Sequence, residues 1–169
     1  PIYIGLDLGP FALIGSAPDN LDRYVETLPV STAGQTAGAP ATVTLSGRDA
    51  YTNSYTLSSV QAFAASQNPA DLQVAQIGLV KPERVQAFEV GYRSVTMKDF
   101  SVDINAYYNI YNDFLSQSRV ITPYYGVVGT DASNPQVLLG YQALGFGDRR
   151  VYQIYTNSKA EVSSVGFGI

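Results

Sequence analysis

Apolar and polar side chains alternate most regularly over 100–115, FSVDINAYYNIYNDFL. One row is Phe100, Val102, Ile104, Ala106, Tyr108 and Ile110; the other is Ser101, Asp103, Asn105, Tyr107, Asn109, Tyr111 and Asp113. Successive side chains of an extended strand point to opposite faces, so this period predicts one strand with two chemically opposed sides. It is longer than the roughly five or six residues usual for a globular strand, and it begins and ends in aromatics. Those are the marks of a strand that crosses an outer membrane in a β-barrel. Phe100, Val102, Ile104, Tyr108 and Ile110 would then face lipid, and Asp103, Asn105 and Asn109 the lumen.

Other stretches fit the same grammar. ERVQAFEVGYRS, at 83–94, puts Phe88, Val90 and Tyr92 on one face and Glu89, Gly91 and Arg93 on the other. With a tight connection at 95–99 it predicts a hairpin with 100–115. RVYQIYT at 150–156 alternates weakly, NSKAEVS at 157–163 reads as a short polar turn, and 164–169 starts another strand. Between them, 116–148 is punctuated by Pro and Gly and reads as a loop. The pattern predicts barrel strands at about 83–94, 100–115, 150–156 and 164–169 within 81–169. The short turns 95–99 and 157–163 would be periplasmic and the loop 116–148 extracellular.

Residues 1–80 differ in kind. A short strand fits at 2–8, and STAGQTAGAPAT at 31–42 reads as a flexible loop. Asn20 could cap a helix over 21–28, and Ser58 with Gln61 has capping-box spacing. So little periodic structure over 80 residues suits a large extracellular loop region better than a compact soluble domain. The alternation of Val165, Phe167 and Ile169 runs to the last residue, as expected for a piece of a longer protein.

Composition narrows the chemistry. Only 14% of the 169 residues are charged, against roughly 25% in an ordinary soluble domain, while Tyr numbers 13 and Gly 15. Net charge is -4 with no basic run, which removes nucleic acid as a partner. There is no Cys and no His, so the usual thiolate and imidazole metal ligands and the commonest general base are missing. A hydrolytic carboxylate pair needs a separation of about 5–10 Å. Asp99 and Asp103 would lie about 13 Å apart on an extended chain, and Asp19 and Asp22 fit a helix start. No enzyme and no cofactor are expected. Loop Ca²⁺ at Asp7, Asp19, Asp22 or Asp131 lacks any matching spacing.

Glu89 and Arg93 fit a structural pair bracing the lumen wall better than a ligand contact, and Asp103, Asn105 and Asn109 fit a solvated wall. The candidates for ligand contact are Tyr124, Tyr125 and Tyr141, since aromatics stack on sugar faces. They could equally pack the loop on itself or face a partner.

LVKPERVQAFEVGYRS at 79–94 resembles the L-x-P-E-x-x-x-x-(F/Y)-E-x-G-(Y/F)-(K/R) stretch late in the barrel of TonB-dependent outer-membrane receptors. DINAYYNIYNDFL at 103–115 is similar to the strand that follows it there, and YTNSKAEVSSVGFGI at 155–169 to the next turn and strand start. The loops, with LDLGPFALIGSAPDNLDRYVE at 6–26, resemble the SusC-like branch of Bacteroidetes-type bacteria. The resemblance implies an all-β fold: antiparallel strands of a transmembrane barrel, of which this chain is part of the C-terminal half. It implies an outer-membrane transporter that imports a glycan or peptide. It further implies a SusD-like lipoprotein partner, coupling to TonB through a plug domain not present in this chain, and contact with outer-membrane lipid. A β-sandwich binding module or adhesin, and a passive porin, are the alternatives.

Overall fold

A computed structural model describes residues 5–7, 12–14, 21–97, 100–158 and 160–169 of the chain. The strands are β1 (Gly5–Asp7), β2 (Ala12–Ile14), β3 (Val25–Pro29), β4 (Thr42–Ser46), β5 (Tyr55–Thr56), β6 (Arg84–Met97), β7 (Phe100–Asn112), β8 (Leu115–Pro123), β9 (Arg149–Asn157) and β10 (Val162–Gly168). The helices are α1 (Thr32–Thr36), α2 (Gly47–Thr52), α3 (Leu57–Ser66) and α4 (Pro135–Phe146), with a 3-10 turn at Pro69–Asp71. The chain is therefore mostly antiparallel sheet with few helices, and the described residues close no barrel. It divides into two units, Pro1–Val80 with Gln117–Thr156, and Lys81–Ser116 with Asn157–Ile169.

The first unit is built on a five-stranded sheet ordered β1-β2-β9-β8-β5, in which β2 and β9 run parallel. Both faces of that sheet are covered. On one side Val120, Tyr152 and Ile154 pack with Leu21, Leu45, Ala50 and Tyr51; on the other Ile121 packs with Val60, Phe63, Tyr141 and Leu144. A strand buried on both sides has no reason to alternate. That is why the second half of β8 reads as the unpatterned run Val120–Pro123 and why 116–148, expected as loop, instead holds most of β8 and α4.

Glycine misleads over α4 for a related reason. Asn134 caps the helix, its Oδ1 accepting from Gln136 N–H at 2.9 Å, and Gly147 ends it at φ 82°. Gly140 inside it is a packing residue: a Cβ there would meet the Val127 carbonyl oxygen at 2.9 Å. The low-complexity stretch 31–42 is likewise ordered. Ser31 caps α1, accepting from Gly34 N–H at 3.0 Å, and the buried Asp148 carboxylate accepts from Ser31 N–H at 2.7 Å, Ser31 Oγ–H at 2.9 Å and the Tyr125 hydroxyl at 2.9 Å. Three donors make that carboxylate's burial tolerable.

Three other expectations shift. The helix proposed over 21–28 gives way to β3, whose Val25 and Thr27 pair with Ser46 and Thr44 of β4. α3 forms near the expected place, but its cap is Thr56, whose Oγ1 accepts from Ser59 N–H at 3.3 Å. The strand at 150–156, expected in the barrel wall, is the middle strand of the first unit's sheet, because its alternation buries Tyr152 and Ile154 completely. Of the strand expected at 2–8, β1 covers 5–7 and the rest lies outside the described residues.

Burial dominates the ionisation of this core. The Tyr51 and Tyr55 hydroxyls, taken out of water, are each pushed up to about 12, and burial with the Glu26 carboxylate at 2.5 Å pushes Tyr152 further still. Each folded-state value lies above the unfolded value of about 10, so the native state holds protons that the unfolded chain gives up. The resulting stability is complete below pH 10 and is lost as pH rises through about 12. Alkaline titration followed by tyrosinate absorbance and by circular dichroism should therefore show late tyrosinate signal appearing together with loss of the fold; buried tyrosines titrating near 10 in folded protein would contradict this packing.

Candidate functional site

The second unit carries the feature of greatest functional content, a three-stranded sheet ordered β10-β7-β6. β7 pairs antiparallel with β6 from Arg84↔Asn112 to Met97↔Phe100, with an irregularity between Val95 and Met97, and with β10 from Val162↔Tyr111 to Gly168↔Asn105. The expected hairpin of 83–94 with 100–115 is thus present, with β6 reaching Met97 and β7 ending at Asn112.

Register sorts the side chains, because direct partners in an antiparallel pair share a face. Tyr108 stands between Phe88 and Val165, and Ala106 between Val90 and Phe167; Tyr92 stands opposite Ile104, and Ser94 opposite Val102. On the other face Asn109 stands between Ala87 and Ser164, Tyr107 between Glu89 and Gly166, and Asn105 between Gly91 and Gly168, and Arg93 stands opposite Asp103. Over its middle, from Phe88 to Tyr92 of β6, one side of the sheet is therefore apolar across its strands and the other mostly polar, while Gln86, Ser94 and Ser163 flank the apolar stretch and Val85, Val95 and Val162 the polar one. Val102 to Ile110 of β7 spans about 27 Å along the strand; the part that is apolar on β6 as well, Ile104 to Tyr108, spans about 14 Å.

The apolar side is bare. Val90 is 70% exposed, Val165 78% and Phe167 79%, with Phe88, Tyr92, Ile104 and Tyr108 also exposed beside them. Soluble monomers rarely show contiguous apolar patches beyond a few hundred Å². A β-sandwich would cover such a face with a second sheet, and this unit contains none among the described residues.

The two ends of the sheet are unlike. At one end β6 and β7 are joined through 98–99. At the other, β6 begins, β7 ends and β10 begins, since Val162 pairs beside Tyr111 and Arg84 beside Asn112. The connection 157–163, expected on the same side as 95–99, therefore lies at the opposite end. It is the return of a long excursion through β8, α4 and β9, and the alternation within 150–156 had disguised that excursion as a separate strand pair. This end is tied together. Asn157 Oδ1 accepts from Lys81 N–H at 2.6 Å, and its Nδ2 donates to the Lys81 carbonyl at 2.9 Å and the Asp113 carbonyl at 2.5 Å. Arg84 pairs with Asp113 at 2.7 Å, Glu83 accepts from Leu115 N–H at 2.7 Å, and Tyr111 stacks on Phe114 at 5.7 Å.

Of the residues singled out in the sequence, Glu89, Arg93, Asp103, Asn105 and Asn109 share the polar face, and Val102, Ile104, Tyr108 and Ile110 the apolar one. Glu89 and Arg93 are not paired with each other; Arg93 Nε lies 3.9 Å from Asp103 Oδ2 across the strands. The side chain of Phe100, like that of Asp7 and like residues Asp19 and Asp99, lies outside the described residues. Tyr141 is not available for ligand stacking: it is 6% exposed between Tyr55 and Phe63, its hydroxyl donating to the Gly129 carbonyl at 3.1 Å. Tyr125 is committed to Asp148, and Tyr124 packs at the edge of the core. Asp22 is gripped by Arg48 at 2.7 Å, a pairing that draws its carboxyl below the ordinary value, and Asp131 accepts from Ser133 N–H and Oγ–H. Among the described residues no three acidic, His or Cys side chains gather as a metal site.

Sequence reasoning missed one element of the polar face, the glycines of β10. A Cβ on Gly166 would collide with the Tyr107 ring, and one on Gly168 would meet Asn105 Oδ1 at 2.6 Å. Both β7 side chains lie across β10 because nothing stands there. The signal was present as the spacing Ser164-x-Gly166-x-Gly168 opposite Asn109, Tyr107 and Asn105.

No protein-family model, no curated protein and no solved structure matches this chain.

The glycine floor makes a direct prediction. Gly166→Val should destabilise the sheet by about 1–3 kcal/mol through overpacking against Tyr107, read as a lowered thermal midpoint. Adding Tyr107→Ala should recover part of the loss; an unrelieved double variant would show that the ring does not occupy that space.

Proposed function

We propose that this chain is part of a TonB-dependent outer-membrane transporter of the SusC-like kind, importing a nutrient such as a glycan or peptide. The single observation that supports this reading most is the β10-β7-β6 sheet, with an exposed apolar stretch on one face, a mostly polar other face, and the long β7-to-β10 connection at the end opposite the short β6-to-β7 one. Outer-membrane barrels combine these properties: lipid outside, water inside, short turns toward the periplasm and long loops toward the exterior. On this reading β6, β7 and β10 are three wall strands. The connection at 98–99 is periplasmic, and the long connection from β7 to β10 is extracellular. Further strands, a plug, TonB and a SusD-like lipoprotein complete the transporter. The work is binding and conduction rather than covalent chemistry.

A passive porin shares the barrel and lacks the plug; the resemblance of 79–94 to the receptor stretch favours the transporter. The test is a pair of variants of adjacent residues in the full protein. Ile104→Arg puts a charge at the midplane of the lipid face and should cost about 2–4 kcal/mol, seen as loss of the heat-modifiable folded band on a gel. Asn105→Arg, on the water side, should leave that band nearly unchanged. Equal losses would count against the membrane reading.

A further inference from the structure

The five-stranded sheet of the first unit is interrupted at one point. β5 pairs with β8 over two positions only, Tyr55↔Ile121 and Thr56↔Val120. At Leu57 the chain turns out of the sheet into α3, while β8 extends beyond that point to Leu115. A cleft of about 440 Å³ opens where β5 stops. Its polar lining comes from Ser58, Gln61, Gln76, Ser118 and Arg119, and Ala75 and Ile77 supply apolar surface. The volume falls inside the range of about 300–1,000 Å³ found for small-molecule sites.

The chemistry of the lining is one-sided. Arg119 is its one charged residue, and no acidic side chain lines the cleft among the described residues. The side-chain amides of Gln61 and Gln76 and the Ser118 hydroxyl make no hydrogen bond to a described residue, so water holds them until a ligand does. Arg119 takes part in an interaction within the protein. A guanidinium carries five N–H donors in a planar fork, so one such contact leaves donors for a ligand. A cation would meet Arg119 with no acid beside it, and a wholly apolar molecule would strip water from the amides and hydroxyls without replacing it. A carboxylate gains a charge-assisted pair with Arg119, and hydroxyl or amide groups next to it meet the glutamines and serines.

We infer that this cleft binds a ligand through its carboxylate, from an acidic sugar or from the chain terminus of a peptide, with Arg119 holding the carboxylate and Gln61, Gln76 and Ser118 the neutral polar groups around it. The inference deepens the nutrient reading above by giving the ligand's charge, and it rests on that reading only for calling the ligand a nutrient. Every lining residue belongs to the first unit, so the cleft does not depend on which face of the β10-β7-β6 sheet meets lipid.

The test uses the full-length protein in detergent and calorimetric titration with two acids, digalacturonate and N-acetyl-dialanine, each beside its neutral form, the methyl ester and the amide. One acid should bind and its neutral form should bind about tenfold more weakly, the loss expected when one hydrogen bond to a charged group is removed. Which acid binds tells the sugar source from the peptide source. Arg119→Gln should weaken that acid by a similar factor, and Gln61→Ala with Gln76→Ala severalfold. Arg23→Gln, at an exposed arginine outside the cleft, should have no effect. An unchanged near-ultraviolet circular dichroism spectrum in each variant shows that loss of binding is not loss of fold. Equal binding of an acid and its neutral form, equal titrations for the parent protein and Arg119→Gln, or no binding of either acid overturns the site. Failure of the transport reading is separately visible in the Ile104→Arg and Asn105→Arg pair, which touches only the sheet of the second unit.

Discussion

Register between β6, β7 and β10 is the constraint on which the two-faced sheet depends. Side-chain direction alternates with a period of two, so a slip of one residue between β6 and β7 would put Glu89 and Arg93 on the same face as Ile104, Ala106 and Tyr108 of β7. The sequence resists that slip in several ways. Tyr107 and Asn105 fit only over glycines, Asn109 finds Ser164, and Arg93 meets Asp103 at 3.9 Å. That last pair is exposed and adds little to stability. Its use is in telling one register from another, since the slipped alignment would set like against unlike across the whole sheet.

The tied end of the sheet has a different logic. Asn157 bridges Lys81 and Asp113 through backbone atoms, and Arg84 and Glu83 fasten 113–115. Asp113 itself adopts φ 59°, a left-handed conformation that suits an acidic residue at the point where β7 stops. The chain thus leaves a regular strand at one residue and is caught at once by side-chain hydrogen bonds. The first unit, by contrast, is ordered by ordinary burial: a sheet covered on both faces, with Asp148 and the Glu26–Arg150–Tyr152 cluster satisfying the polar groups that burial traps.

How much of this was legible follows from how many faces each segment buries. β6, β7 and β10 alternate because one face is apolar and one polar, and the sequence announces them. β8 buries residues on both sides over Val120–Pro123 and loses the signal; β9 fully buries Tyr152 and Ile154 on one face, so RVYQIYT kept enough of it to be read as a wall strand. Glycines were read as loop markers at 126–147, yet Gly140 and Gly34 are close-approach positions that only folded neighbours explain. The tyrosines of that segment looked free for ligands because nothing in a sequence reveals that Tyr141 would find Tyr55, Phe63 and the Gly129 carbonyl. The polar-face residues Glu89, Arg93, Asp103, Asn105 and Asn109 were legible as a row, but the way β7 leans over β10 was not, since it depends on which strand lies next to which.

The most direct measurement is a nitroxide scan of single-Cys variants across 102–110 in the full protein reconstituted into lipid. Each label is challenged with oxygen, which concentrates in the bilayer, and with a water-soluble nickel chelate. The expected result is two out-of-phase oscillations of period two, with oxygen maxima at Val102, Ile104, Ala106, Tyr108 and Ile110 and nickel maxima at Asp103, Asn105, Tyr107 and Asn109. Oscillations in phase, or low oxygen access at Ile104 and Tyr108, would place that row inside a protein core and contradict the account.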